Sequence, residues 1–359
     1  MKSNYNEIRR KTKKIKAGGI CIGGDAPVTV QSMLNADTRN VAASVKQIKE
    51  LTAAGCELVR VAVPDMAAVR ALYEIKNQTD IPVAADIHYD YKLAVESAAA
   101  GADKIRINPG NIGGDDCVKE VVKACRQNNI PIRIGVNGGS LERELLEKYG
   151  SPVPEALFES AVKNIERLEK YDFTDVIMAI KASNIQNTVK ANRLFSEKYV
   201  YPIHLGITES GTLQEGALKS AIGIGALLCD GIGDTLRVSL TADPVKEVEA
   251  AYTILKVLGV RENGINLISC PTCGRTMVNL IELAEEFERR AAGEIKIRRS
   301  LTVALMGCAV NGVGEAKEAD IGIAGGNNEA LLFKRGKIIR KLKECEIIDV
   351  LISEINGEI

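Results

Sequence analysis

The sequence predicts an eight-stranded parallel α/β barrel followed by a smaller α+β domain. Two observations carry that prediction. From residue 28 to about residue 260, short β-rich runs alternate eight times with amphipathic helical stretches. Beyond residue 260 the rhythm stops, and a Cys-x2-Cys pair opens a segment of mixed character. At 359 residues the chain suits one large domain, 1–260, and one small domain, 265–359, with residues 261–264 as linker.

The β-rich runs are 28–34, 57–63, 82–87, 104–108, 131–137, 175–182, 203–208 and 235–240. Strands that alternate with helices pair in parallel through right-handed crossovers. Eight such units over roughly 230 residues match a closed (β/α)8 (TIM) barrel. Several helical stretches end in glycine just before the next strand, as a C-cap does. An open doubly wound sheet would carry a glycine-rich turn after its first strand, but Asn35-Ala36-Asp37-Thr38 stands there. The pair Gly223 and Gly225 lies inside a helical pattern and lacks a third glycine. Residues 14–26 read as a hairpin closing the barrel bottom. In the second domain the pattern gives a helix over 277–292 and strands at 301–306 and 321–324. A hairpin through 333–339, a helix from about residue 340 and a mostly antiparallel sheet complete the expectation.

Composition narrows the function. The chain has 47 basic and 47 acidic residues, so no global field attracts nucleic acid or an anionic membrane. Tryptophan is absent and aromatics are only 4%, against base-stacking platforms. The N-terminus is polar and basic with no apolar run behind it, and no stretch approaches the ~20 apolar residues of a membrane span. The expectation is a cytoplasmic protein with reduced thiols. Its nine cysteines then read as packing residues, metal ligands or reactive thiols.

Barrel active sites form at the C-terminal strand ends. The polar residues there are Arg60; Asp86 and His88; Arg106 and Asn108; Arg133 and Asn137; Lys181; His204, Thr208 and Glu209; Arg237 and Ser239. Asp86/His88, Arg106/Asn108 and Arg237/Ser239 are spaced by two and share a strand face. Five cations stand against two carboxylates, which suits a phosphate or diphosphate. Structural ion pairing is the bland alternative for any single residue, but charge inside a barrel is costly unless paired or functional.

Cys270 and Cys273 form the Cys-x2-Cys pair, and Cys308 follows in a glycine-rich loop that also carries Glu315. Structural zinc wants four ligands and a dithiol redox site needs no distant third cysteine. Three thiolates suit a 4Fe–4S cluster whose last iron has another ligand. Glu315 and Cys345 compete for that position. Cys21, Cys56, Cys117, Cys125 and Cys229 read as packing residues.

The segments ISCPTCGRT and MGCAVNGVGEAKEADIGIAGG, behind a barrel opening with VTVQSMLNADT, are similar to the 4-hydroxy-3-methylbut-2-enyl diphosphate synthases in their short bacterial two-domain form. The resemblance runs along essentially the whole chain. It implies a reductive enzyme of isoprenoid precursor synthesis acting on 2-C-methyl-D-erythritol 2,4-cyclodiphosphate. It also implies a cluster on Cys270, Cys273, Cys308 and Glu315, in a domain like the cluster module of sulfite and nitrite reductases. Arg60, Arg106, Arg133, Lys181 and Arg237 would surround the diphosphate, helped by Asn108, Asn137, His204 and Ser239. Asp86, His88, Thr208, Glu209 and Asn311 would line the reacting end. Flavodoxin or ferredoxin as donor and a head-to-tail homodimer are further implications. Two other readings compete: a zinc-containing barrel lyase or hydrolase, and a non-catalytic iron-responsive protein. A radical enzyme using S-adenosylmethionine lacks its Cys-x3-Cys-x2-Cys triplet.

Overall fold

The computed structural model describes residues 5–261, 264–295, 300–308, 316, 318–327 and 329–357. It divides into two compact units, Met1–Arg261 and Glu262–Ile359. In the first, β1 (Ile15–Ala17) and β2 (Ile20–Ile22) form an antiparallel hairpin. Eight parallel strands follow: β3 (Thr29–Met33), β4 (Leu58–Ala62), β5 (Val83–Asp86), β6 (Lys104–Ile107), β7 (Ile132–Asn137), β8 (Val176–Lys181), β9 (His204–Leu205) and β10 (Thr235–Leu236). Their order is β8-β7-β6-β5-β4-β3-β10-β9, and a parallel bridge from Met178 to Ile203 joins the two ends. The alternation in the sequence thus becomes the closed barrel it predicts.

The two-residue period of each strand sorts the side chains. Val59, Val61, Val83, Ala85, Ile105, Ile107, Ile132 and Ile134 face outward into one continuous core beneath the helices. The inward set changes character with height. At the bottom, Ile15, Ala17 and Ile22 of the hairpin pack on Leu58, Ala84 and Ile177. Polar residues fill the levels above. Each strand delivers the chain to a loop at the barrel mouth, and several of the following helices start on a capping carboxylate or amide. Asn40, Asp65, Asp90, Asn184 and Asp243 each accept a hydrogen bond from a first-turn backbone N–H.

The second unit differs from expectation in three ways. Its sheet is mixed: β11 (Gly264–Ser269), β12 (Ser300–Met306) and β13 (Ile321–Gly325) run parallel, while β14 (Glu329–Lys334) and β15 (Lys337–Lys343) add antiparallel pairs. The helix Leu280–Glu294 is therefore a crossover between parallel strands, which the sequence pattern alone did not reveal. Strand β11 went unread because it is a half-buried edge directly after the linker. The C-terminal helix begins at Ile347, not near 340, because residues 337–343 complete the hairpin as a strand. That hairpin turns through Arg335 (φ 46) and Gly336 (φ 74), both left-handed as a two-residue turn requires. Phe287, Ile347 and Leu351 cover Val303, Ile323 and Leu332 on one sheet face.

The hairpin plug predicts a local stability effect. Ile15→Ala, at a side chain only 2% exposed, should destabilise the barrel by about 2–4 kcal/mol. A lowered urea midpoint for the barrel transition checks this.

Candidate active site

The barrel mouth holds a cavity of about 480 Å³. Arg60, Asp86, His88, Arg106, Asn108, Arg133, Asn137, Lys181, Thr208, Glu209, Arg237 and Ser239 all line it. The strand spacing explains the convergence, because residues two apart on β5, β6, β7 and after β10 reach the same interior. Tyr89, Asn111, Gly135 and Ser140 also line the cavity and were not anticipated. His204 does not. It is fully buried, with Nδ1 3.4 Å from the Thr235 hydroxyl, and the cavity wall on its strand falls to Thr208 further along.

Two buried carboxylates organise the cations. Asp86 accepts from the Arg106 guanidinium at 3.1 Å and lies 3.7 Å from Arg60 and 3.6 Å from His88. Burial alone would raise the Asp86 carboxyl, but Arg60, the His88 contact and Arg106 together hold it well below the usual carboxylate range. The second is Glu247, in the first turn of the helix Pro244–Val257. It accepts from Arg237 at 3.3 Å, from the Ser32 hydroxyl at 3.2 Å and from the Leu240 backbone at 2.9 Å. Its sequence signal is faint, a glutamate among other charges at a helix start.

The remaining cations have no such partner. Among the described residues, no carboxylate lies within ion-pair reach of Arg133, Lys181 or Lys104. Arg133 is 2% exposed, and its Nε and one terminal nitrogen find no hydrogen-bond acceptor among the described residues. Lys104, one level below Arg106 and missed from sequence, donates to the Gln31 amide oxygen at 2.9 Å. Burial pushes Arg60 down to about 10. Burial, reinforced by neighbouring cations, pushes Lys104, Lys181 and His204 well below their ordinary values. Such a site is unfavourable to itself and complementary to a polyanion. At the rim, Glu209 is held at φ 55, a costly backbone state for a residue with a side chain.

In the second unit two of the three cysteines, Cys270 and Cys308, follow two neighbouring parallel strands, and Cys273 lies three residues past Cys270. Cys270 follows β11 and Cys308 lies two residues past β12, at the same end of the sheet. The Gly307 N–H donates to the Cys270 sulfur at 3.2 Å. Cys273 is exposed, and hydrogen bonds from the Arg275 backbone and guanidinium lower its thiol pKa. All three are free thiols. Among the described residues, no three His, Cys, Asp or Glu side chains are already grouped as a metal set. Asn311 and Glu315 lie outside those residues. The donors nonetheless fit an iron–sulfur group, with three free thiols and a backbone N–H aimed at a ligand sulfur. Cys345 sits exposed in the turn Glu344–Glu346. Of the cysteines expected to pack, Cys56 and Cys125 are buried, but Cys229 is exposed at a helix end.

Fold and sites together define a class: a parallel α/β barrel with a cation-lined mouth, joined to a smaller domain that carries three free cysteines. The comparisons make this specific. Residues 12–252 match the model of the GcpE TIM-barrel domain and residues 266–357 that of the GcpE protein C-terminal domain. The chain belongs to the GcpE family. It is 56% identical over 348 residues to the 4-hydroxy-3-methylbut-2-en-1-yl diphosphate synthase (flavodoxin) of Geobacter sulfurreducens, covering 97% of this chain and 98% of that one. The namesake protein of Clostridium perfringens is 53% identical over 347 residues, covering 97% and 99%. Among solved structures, 3-dehydroquinate dehydratase from Geobacillus kaustophilus aligns with a TM-score of 0.52 at 14% identity, covering 71% of this chain and all of that one. That likeness speaks to the barrel fold alone. No described helix is long and apolar enough to cross a membrane.

The depressed bases predict a pH dependence. Unfolded, lysine keeps its proton to about pH 10.4 and histidine to about 6.5. The ligand-free fold releases those protons earlier, so the unfolded state binds more of them and stability rises with pH up to those values. The thermal midpoint of the ligand-free chain should climb between about pH 6 and 9, and Lys104→Met should flatten the climb.

Proposed function

We propose that this chain catalyses the reductive ring opening and dehydroxylation of 2-C-methyl-D-erythritol 2,4-cyclodiphosphate to 4-hydroxy-3-methylbut-2-enyl diphosphate. It is thus an oxidoreductase of isoprenoid precursor synthesis by the methylerythritol phosphate pathway. The observation that carries the reading in this chain is the uncompensated positive charge of the mouth, above all the partnerless N–H groups of Arg133. A cyclic diphosphate supplies the missing negative charge and acceptor oxygens.

In this reading Arg60, Arg106, Arg133, Lys181 and Arg237 hold the diphosphate, with Asn108, Asn137 and Ser239 completing its hydrogen bonds. Asp86 holds Arg60 and Arg106 in place and keeps His88 at the wall. His204 supports the floor beneath them. When the ring C–O bond breaks, its oxygen stays on the diphosphate, and the surrounding cations stabilise the charge that develops there. Glu209, beside Thr208 at the rim, delivers a proton to the departing hydroxyl, which leaves as water. Cys270, Cys273 and Cys308, with Glu315 as the fourth ligand that the sequence suggests, would hold a 4Fe–4S cluster. That cluster supplies two electrons, one at a time, and a Lewis-acidic iron. Flavodoxin, named for the relatives, is the proposed donor, and the working form is a cytoplasmic homodimer.

Purified without oxygen, the chain should carry about four irons and four sulfides and lose them in Cys308→Ser. Stoichiometric zinc without sulfide would sink the redox reading. Arg133→Met should raise KM for the cyclodiphosphate at least roughly tenfold while leaving the iron content unchanged.

A further inference from the structure

We infer that Gly135 is a positioning residue for the substrate's diphosphate, because it leaves a notch in the barrel wall where the Arg106 guanidinium lies. The inference rests on the diphosphate reading of the mouth.

Gly135 sits on β7 between Arg133 and Asn137, and all three line the cavity. Glycine inside a strand costs stability relative to alanine, and it commonly marks a place where something must approach closely. Backbone conformation does not demand it here, since Gly135 is not among the positive-φ residues. Space does. A Cβ at Gly135 would stand 2.6 Å from Arg106 Nε and 2.8 Å from its Nη2. The neighbouring strand explains the approach. Arg106 on β6 pairs in register with Arg133, so its side chain leans one level up, across Gly135. Its other side is fixed by Asp86, which accepts from Nη1 at 3.1 Å. The guanidinium is thus clamped between a carboxylate on β5 and a vacant Cβ position on β7. That leaves its charge at the wall and the cavity open for the anion.

The three atoms nearest to such a Cβ all belong to the Arg106 side chain. An alanine would therefore be accommodated by moving the end of a long side chain, at little cost to the fold and at direct cost to the cation's position. Gly206 makes an instructive contrast. A Cβ there would meet the Lys181 ammonium and also the Arg237 carbonyl oxygen at 2.7 Å, so backbone would have to move too.

The test uses the anaerobically purified full chain and two probes, inorganic pyrophosphate by calorimetry and the cyclodiphosphate in turnover. Gly135→Ala should weaken pyrophosphate binding and raise KM roughly ten- to hundredfold, the effect of one misplaced charge-assisted contact. The thermal midpoint and iron content should barely move. In an Arg106→Ala background, Gly135→Ala should add no further loss, because the two act through one guanidinium. Equal losses in both backgrounds, or wild-type binding by Gly135→Ala, would overturn the inference. Unchanged binding in Arg106→Ala alone would instead overturn the diphosphate reading. Should Gly135→Ala fold poorly, recovery of folding in the double variant supports the notch, and failure to recover refutes it.

Discussion

The structure depends on a local charge imbalance that its own residues do not correct. Six basic side chains, Arg60, Lys104, Arg106, Arg133, Lys181 and Arg237, crowd the barrel interior, against one buried carboxylate at the wall, Asp86, and a second, Glu247, that reaches Arg237 from a helix. Such a cluster would be self-defeating in an isolated core, since each buried cation loses hydration and repels the others. The fold tolerates it because the stabilising work is done elsewhere. The outward strand faces form an unbroken apolar layer under the helices, and the hairpin seals the bottom with Ile15, Ala17 and Ile22. Barrel geometry separates these duties by alternation: one set of residues holds the chain together and the interleaved set holds the charge.

The legible part of the fold follows from the same alternation. Strands buried on both faces still announce themselves as short β-branched runs between helical stretches, so all eight barrel strands were readable. The second unit was harder. A single crossover helix among short strands gives no periodic signal, so parallel β11–β12–β13 pairing looks no different in sequence from a meander. Strand β15, whose residues are nearly all exposed, has the polar look of a helix surface. In the site, charged residues at strand ends stood out. What did not stand out was depth: His204 and Thr208 lie on the same strand run, yet only Thr208 reaches the cavity. Lys104 opens its strand and reads as a flanking charge until register shows it sealed under Arg106. Glycines were the least visible, since Gly135 contributes by what it lacks.

Both candidate sites use the same end of parallel strands. Cys270 and Cys308 follow the C-terminal ends of β11 and β12, the same strand end toward which Arg60 on β4, Arg106 on β6 and Lys181 on β8 lie in the barrel. Parallel pairing brings consecutive strand exits side by side even when a helix separates them in sequence. That explains how a cysteine pair and a third cysteine 35 residues later come to flank one stretch of sheet. Parallel pairing of β11 with β12 is therefore also what makes a three-thiol site reasonable, because an antiparallel pair would send Cys270 and Cys308 to opposite edges.

The whole chain is formally neutral, yet its barrel interior is strongly positive. The compensating carboxylates are on the surface, where they pair with surface lysines and arginines such as Lys148 with Glu159 and Lys170 with Asp115. Water and salt screen those pairs, so they do little to neutralise the interior, which lies in a poorer dielectric. A polyanion is consequently favoured at the barrel mouth rather than over the surface at large. The selectivity follows from containment. Charge that converges on a mouth cavity of about 480 Å³ favours a compact, multiply charged ligand, whereas the same charge spread over a surface would favour any long one.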